Sequence, residues 1–302
     1  MGNCYYFMMT KNMMKGSNPK YTYKPGSYTD KKFQLSRSGI DEYLNCKKCF
    51  YLNRRLGLKK PSQIPFNLNS AVDNLFKNEF DNYRRMKSKH PIMEKYGVDA
   101  IPYSHPELDI WRHNFSGVRT DFILKNKIEN EKKDDNPQTS FDDLMHNDLE
   151  KAEDNIETDI EIFGAVDDIW TYPNGDLVVV DYKSTSKSVD NQFHSINTWN
   201  DVWSGGKTYK RQLEIYQWLL SEKGFSISSD CYIVYANAHK DKQEFNSVLD
   251  FEVTLLKHEG DFSWVDGLLK EIYEVLNSNE IPESDDECEL CGYVSGSNRL
   301  VS

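Results

Sequence analysis

The chain is expected to fold as a single mixed α/β domain. Three observations predict this. Segments with a helical apolar period come first, then several strand-like runs, a helix, further strands and a last helix. An Asn-Gly pair separates two strand-like runs at 161–172 and 177–183, the strongest short hairpin signal. The 302 residues, 38% hydrophobic and 13% aromatic, hold enough apolar material for a sizeable core.

The elements follow in order. Residues 1–34 contain Met8-Met9, Met13-Met14 and several Gly, Ser and Pro without a sustained period, and are expected to form a basic, flexible arm. The domain proper is expected over 35–293, with 294–302 as a tail. Ser38 with Asp41 three residues later is a helix-start pattern, and Ile40, Tyr43, Leu44, Tyr51 and Leu52 carry that helix toward a stop at Gly57. A second helix is expected from Ser70 to Tyr83, with Val72, Leu75, Phe76 and Phe80 on one stripe and Glu79 and Asp81 as solvated charges. Residues 116–128 read as a strand. Glu161–Tyr172 and Leu177–Lys183 are the arms of the hairpin. A helix is expected over Tyr209–Leu220, strands over Cys231–Asn237 and Val248–Leu256, and a final helix capped by Ser263 and carrying Trp264, Leu268, Leu269, Ile272 and Leu276.

Charge is unevenly distributed. The formal net charge is −11, yet residues 1–60 hold thirteen Lys/Arg against three acids. Such a stretch tracks phosphates even in an acidic chain, although a solvated lysine-rich tail explains residues 1–34 more simply. Residues 129–160 hold twelve Asp/Glu against three Lys and are expected to be an acidic surface insertion. The longest aliphatic run, Leu177 to Val180, is far short of a bilayer span, and the first residues lack a signal-peptide core. A cytoplasmic protein without a membrane partner is the expectation. No phosphate-loop motif, His-Glu-x-x-His or Gly-x-Ser-x-Gly elbow occurs, which argues against an ATPase motor, a zinc protease and a serine hydrolase of that type.

Two features carry chemistry. In the hairpin, an acidic pair, Asp167-Asp168, approaches Asp181 on the other arm, and strand alternation puts Asp181 and Lys183 on one face. Crowded carboxylates repel unless a cation lies between them, and a hard divalent ion such as Mg²⁺ or Mn²⁺ fits. A two-residue turn would set Asp168 opposite Asp181; a three-residue turn would set Asp167 there. The second feature is a pair of Cys-x-x-Cys motifs, Cys46/Cys49 and Cys288/Cys291. Four thiolates from the two ends would hold one zinc ion or one [4Fe–4S] cluster and clasp the domain shut. Cys4 and Cys231 have no such partner and read as tail and core residues. Trp203 and Trp218 are candidates for stacking on bases, although core packing accounts for most aromatics.

These residues resemble the PD-(D/E)xK nuclease superfamily, in particular its branch of RecB-type nuclease domains and Cas4 exonucleases. Gly164-x-x-Asp167 looks like the metal-binding Asp element, Asp181-Tyr182-Lys183 like the D-x-K element, and Gln212-x-x-x-Tyr216 like the helical element that supports the lysine and the DNA. Asp30-x-Lys32 and Glu131-x-Lys133 match D/E-x-K too, but neither ends an apolar strand. The stretch Tyr43–Leu52 resembles the cysteine-containing helix upstream of the nuclease core. The resemblance implies a restriction-endonuclease-like mixed β-sheet flanked by helices. It implies a divalent-metal-dependent DNA nuclease, exo- or endonucleolytic, in repair, recombination or defence, with helicase or CRISPR-adaptation proteins as partners. It selects Asp167 over Asp168, adds the Tyr182 carbonyl as a ligand, and gives catalytic weight to Asp167, Asp181, Lys183, Gln212 and Tyr216. A further ligand is expected from the second helix, where Asp73 stands in place of the histidine common in this branch; its spacing to Ser70 also suits a capping box. Cluster-bearing relatives split their cysteines one and three, whereas this chain splits them two and two, which favours zinc. The alternative is a catalytically silent nucleic-acid-binding or scaffolding module with a structural four-cysteine site.

Overall fold

A computed structural model describes residues 22–28, 31–60, 67–125 and 155–301. Strand β6 (Leu177–Thr185) organises it. Leu177 to Val180 are aliphatic and buried, as expected of a strand covered on both faces. It pairs antiparallel with β5 (Asp168–Thr171) and parallel with β9 (Asp230–Ala238). With β10 (Phe251–Glu259) and β2 (Ile101–Pro102) they form a five-stranded sheet, order β10-β9-β6-β5-β2. A second sheet has the order β1-β4-β3, built from β1 (Phe33–Ser36), β4 (Asn155–Gly164) and β3 (Val118–Lys125), with β1 parallel and β3 antiparallel to β4. A small ribbon joins β7 (Ser188–Val189) and β8 (Gln192–Phe193).

Helices cover both faces of the large sheet. On one, Phe76 and Phe80 of α3 (Asn67–Met86) and Ile92 and Met93 of α4 (Pro91–Lys95) pack on Trp170, Val178, Val180 and Tyr182. On the other, Leu213 and Leu219 of α6 (Lys207–Glu222) and Leu269 and Ile272 of α7 (Trp264–Asn277) share a core with Val179, Ile233, Ile160 and Ile162. Alternation along β6 sends Val178, Val180 and Tyr182 to the α3 layer. Asp181 and Lys183 continue the Leu177–Val179 side, toward α6. The parallel β6–β9 pair needs a crossover, and α6 is its helix. Shorter helices α1 (Arg37–Asn45), α2 (Lys47–Arg54) and α5 (Leu108–Arg112) and the terminal α8 (Glu289–Val301) complete the domain. Among the described residues no helix is long and apolar enough to cross a membrane.

The structure differs from the expected elements at several points. The run 161–172 is not one strand: β4 ends at Gly164, β5 begins at Asp168, and the two belong to different sheets. The step occurs where α6 crosses closely, since a Cβ on Gly164 would stand 2.7 Å from Tyr216 Cε1. The hairpin closes through Pro173, Asn174 and Gly175, with Gly175 at φ +93° and Tyr172 N–H bonded to Asp176 O at 3.0 Å. This three-residue connection pairs Asp168 with Val180 and brings Asp167 level with Asp181.

The expected helix from Ser38 to Gly57 is two helices, broken at Cys46, which is extended at φ −168°. Ser36, not Ser38, caps α1, and Asp41 pairs with Arg37 instead. The second helix has begun by Asn67, so Asp73 lies inside it and not in a capping box. Glu79 and Asp81 are not simply solvated: they hold His90 and the pair Arg84 and Arg112. Of the arm 1–34, residues 1–21 and 29–30 lie outside the described residues; Tyr23 is buried, and Phe33 already belongs to β1. Of the acidic stretch, 126–154 lie outside the described residues and 155–160 are part of β4. The tail 294–302 is helical to Val301, as part of α8.

Asp168 is the electrostatic anchor of the α3 layer. It is 0% exposed. Oδ1 receives Arg84, Arg112 Nη2 at 2.7 Å and the Ile169 amide at 2.8 Å, and Oδ2 receives Tyr182 OH at 2.6 Å. Removing one member of such a network strands the others without compensation. Asp168→Ala is expected to cost about 3 kcal/mol or more in urea unfolding, whereas Asp167→Ala next to it costs much less, because Asp167 lines an open cleft beside other carboxylates.

Candidate active site

Three carboxylates and two ammoniums meet at the polar end of β6. Asp167 sits in the step between β4 and β5, with Oδ2 3.1 Å from the Tyr182 amide. Asp181 is 1% exposed; Lys183 is ion-paired to its Oδ2, and Gln212 Nε2 donates to its Oδ1 at 2.7 Å. Gln212 Nε2 also lies 3.1 Å from Tyr216 OH, one turn along α6. From the opposite layer, Asp73 and Lys77 of α3 reach the same place. Lys77 Nζ is 2.8 Å from Asp73 Oδ2 and 3.3 Å from Asp167 Oδ1. The Tyr182 carbonyl lies 3.4 Å from Lys183 Nζ.

Two clefts open here, and both are lined by Asp167 and Lys183. One, of about 220 Å³, runs along α3 past Asn69 and Asp73. The other, of about 350 Å³, runs past Arg37, Gln212 and Tyr216. Asp167 and Lys183 therefore line both clefts.

The charges shape one another. Burial pushes Asp181 up to about 7; Lys183 pulls against this, and the Asp167 charge adds to it. Burial would raise Asp167 too, but Lys183 and Lys77 outweigh it and hold this carboxyl below the usual carboxylate range. Asp73 is raised by burial and by Asp167, against the pull of Lys77. Burial works against the Lys183 charge, yet Asp181 and Asp167 hold the ammonium above its ordinary value. Asp73 Oδ1 is buried and receives no hydrogen bond from a described residue. A carboxylate oxygen left in that state calls for a cation. The donor set is all oxygen, which suits Mg²⁺ or Mn²⁺.

The second candidate centre lies at the other end of the chain's path. Cys46, Cys49, Cys288 and Cys291 present sulfurs that all lie within 4.8 Å of one another. Cys49 Sγ is 3.6 Å from Cys288 Sγ and 3.5 Å from Cys291 Sγ, and Cys46 Sγ is 3.9 Å from Cys291 Sγ. Each pair starts a helix: Cys46 caps α2 and accepts the Cys49 amide at 3.5 Å, and Cys288 immediately precedes α8. Burial would raise the Cys46 thiol, but hydrogen bonds from the Cys49 and Asp285 backbone and from its thiol neighbours bring it down to about 7. Cys49 is pushed up by burial and by the other three thiols. Four thiols so close together, one of them lowered toward ionisation, could hold a metal ion.

The structure thus brings Asp73, Asp167, Asp181, Lys183, Gln212 and Tyr216 into one cluster and the four cysteines into another. Asp168 faces away, into its arginine clamp. Cys231 is buried and Trp218 is buried with its indole N–H on Asp266, whereas Trp203 is 91% exposed; Cys4 lies outside the described residues. Lys77 was not anticipated, although its spacing four residues after Asp73 is the mark of a helical ion pair. Arg37, which lines the second cleft and pairs with Asp41, carried no comparable signal.

Comparison with known proteins is consistent with this geometry. No curated protein matches the chain. The family model of the PD-(D/E)XK nuclease superfamily matches residues 34–295, which span both candidate centres, and on that match the chain belongs to the PD-(D/E)XK nuclease superfamily.

Proposed function

We propose that the protein is a divalent-metal-dependent deoxyribonuclease of the RecB-type, Cas4-like branch, acting in DNA repair, recombination or defence. The observation that carries this is the meeting of Asp73, Asp167, Asp181 and Lys183 between two open clefts, with one carboxylate oxygen buried and unbonded. Asp73, Asp167, Asp181 and the Tyr182 carbonyl would hold the cation. When bound, Mg²⁺ or Mn²⁺ supplies charge neutralisation at a phosphodiester and a source of hydroxide at neutral pH. Lys183, held above its ordinary value by two carboxylates, keeps its proton and offers positive charge where negative charge develops on the phosphate. Gln212 fixes the Asp181 carboxylate by donating to Oδ1, which leaves Lys183 to the other oxygen. Tyr216 braces Gln212 and fills the space that Gly164 leaves open. The contact of α6 with Asp181 and the four-cysteine clasp support the RecB-type assignment.

Labelled single- and double-stranded DNA, incubated with Mn²⁺, tests the proposal. Wild-type protein is expected to cleave at least one of them. Lys183→Ala should bind the same DNA and lose cleavage by a factor of about 10² to 10³. Undiminished cleavage by Lys183→Ala would overturn the role of the site, and binding without cleavage by the wild type would favour the silent module.

At the cysteines we propose a zinc ion. A tetrahedral ion with Zn–S bonds of about 2.3 Å sets its sulfurs roughly 3.8 Å apart, close to the 3.5, 3.6 and 3.9 Å separations here. A [4Fe–4S] cluster has four irons and four sulfides between its cysteines and spreads them more widely. Anaerobically purified protein is expected to carry one zinc per chain and no visible absorption, and a strong chelator should lower its thermal midpoint. Brown protein containing iron and sulfide would reverse the assignment.

A further inference from the structure

Lys77 has no part in the mechanism above, yet it is ion-paired to two of the three carboxylates. Its ammonium bridges Asp73 Oδ2 at 2.8 Å and Asp167 Oδ1 at 3.3 Å, joining α3 to the step between β4 and β5. A cation held by Asp73 and Asp167 would draw on the same two carboxylates that Lys77 now pairs with. Asp167 Oδ2 accepts the Tyr182 amide and Asp181 is held by Gln212 and Lys183, so that, beside the two oxygens on Lys77, Asp73 Oδ1 is the oxygen of the cluster with no partner among the described residues. Lys77 is only 19% exposed, so its charge is weakly screened.

We propose that Lys77 is a resident counter-cation that holds Asp73 and Asp167 together in the metal-free protein and competes with the divalent metal for them. This rests on the reading of Asp73 and Asp167 as metal ligands. An ammonium and a divalent ion on the same pair of carboxylates repel each other, so metal entry would push Lys77 off these oxygens or bind more weakly beside it, and the flexible four-carbon stem of Lys77 permits the move. Lys77 is a positioning residue. It keeps two like charges from springing apart before the metal arrives, and it weakens the metal by the same interaction, because whatever stabilises the free form subtracts from the apparent affinity of the bound one.

The test is a calorimetric titration with Mn²⁺ at fixed pH and ionic strength, alongside thermal midpoints in EDTA. Lys77→Met and Lys77→Gln should melt lower than wild type without metal and bind Mn²⁺ about tenfold more tightly. Lys77→Arg, which keeps the charge, should bind near the wild-type value. A lysine that merely packs would not tighten metal binding when removed. Equal or weaker Mn²⁺ binding by both neutral variants overturns the proposal; if the Met variant does not fold, the Gln and Arg variants decide it. Asp167→Asn separates the two readings. If it binds Mn²⁺ like the wild type, the metal-ligand reading fails and this proposal with it. If binding depends on Asp167 but is not improved by removing Lys77, the competition alone is wrong.

Discussion

The structure depends on holding like charges together where water scarcely reaches. Asp181 is 1% exposed, and Asp167 and Asp73 crowd toward it from two other elements. Two carboxylates about 4 Å apart repel by about 4 kcal/mol at an effective dielectric of 20. Left to itself, such a cluster would splay into solvent or take up protons. Asp181 does move toward protonation, pushed up to about 7 by burial and by Asp167, but the cluster does not splay, because Asp181 is carried on a strand bonded along both edges and Asp73 on a helix of 20 residues whose apolar stripe packs on that strand. The burial energy of the two apolar layers opposes the repulsion, and Lys77 and Lys183 reduce it. The same rigidity serves chemistry, since a site held in its working geometry before substrate arrives has little reorganisation left to do.

Adjacent residues in this region have opposite duties, and strand geometry separates them. Asp167 and Asp168 differ by one position, so their side chains leave the backbone on opposite faces. Asp168 turns into the α3 layer, where two arginines, a tyrosine hydroxyl and an amide consume its oxygens. Asp167 turns toward the clefts, where its oxygens meet one amide and one ammonium. Tyr182 shows the same division: its ring and hydroxyl belong to the structural clamp, while its amide steadies Asp167. The clamp and the active cluster therefore share a strand without sharing side-chain contacts, and a change in one is felt by the other mainly through the register of β5 on β6.

What could be read from the sequence was what depends on short spacing. The hairpin around Asn174-Gly175, the common face of Asp181 and Lys183, the turn linking Gln212 to Tyr216 and the two Cys-x-x-Cys pairs all follow from local periodicity. The turn length was not fixed by local signals; the Pro173–Gly175 connection emerged only with the structure. Other features depend on distant partners. The break after Gly164 exists because α6, some fifty positions later in the chain, passes within contact of it. Asp73 has the spacing of a cap to Ser70, and only the earlier start of α3 removes that account. The helix α8 contains Gly292, Ser295 and Gly296, poor helix formers, and no buried residue, so its sequence carries little helical signal over the expected tail 294–302. Cys291 within it and Cys288 just before it, gathered with Cys46 and Cys49, give it the anchor that its apolar pattern lacks.

The net charge of −11 raises a last physical question, which is how an acidic protein would admit a polyanion. At the cluster itself, three carboxylates against two ammoniums leave one excess negative charge. A phosphate approaching that arrangement is repelled. On the proposed reading, a bound divalent cation would reverse the sign and turn the same cleft attractive, with Arg37 and Lys183 already in its walls. Over the longer range, the excess of Lys and Arg in residues 1–60 counts against the acidic bulk of the chain, and α1 and α2, which lie in that stretch, border the second cleft and the cysteine centre. Salt screens the distant basic surface strongly and the buried cluster weakly. On the same proposed reading, capture of a polyanion would therefore depend on the surface, and the reaction on the few charges at the end of β6.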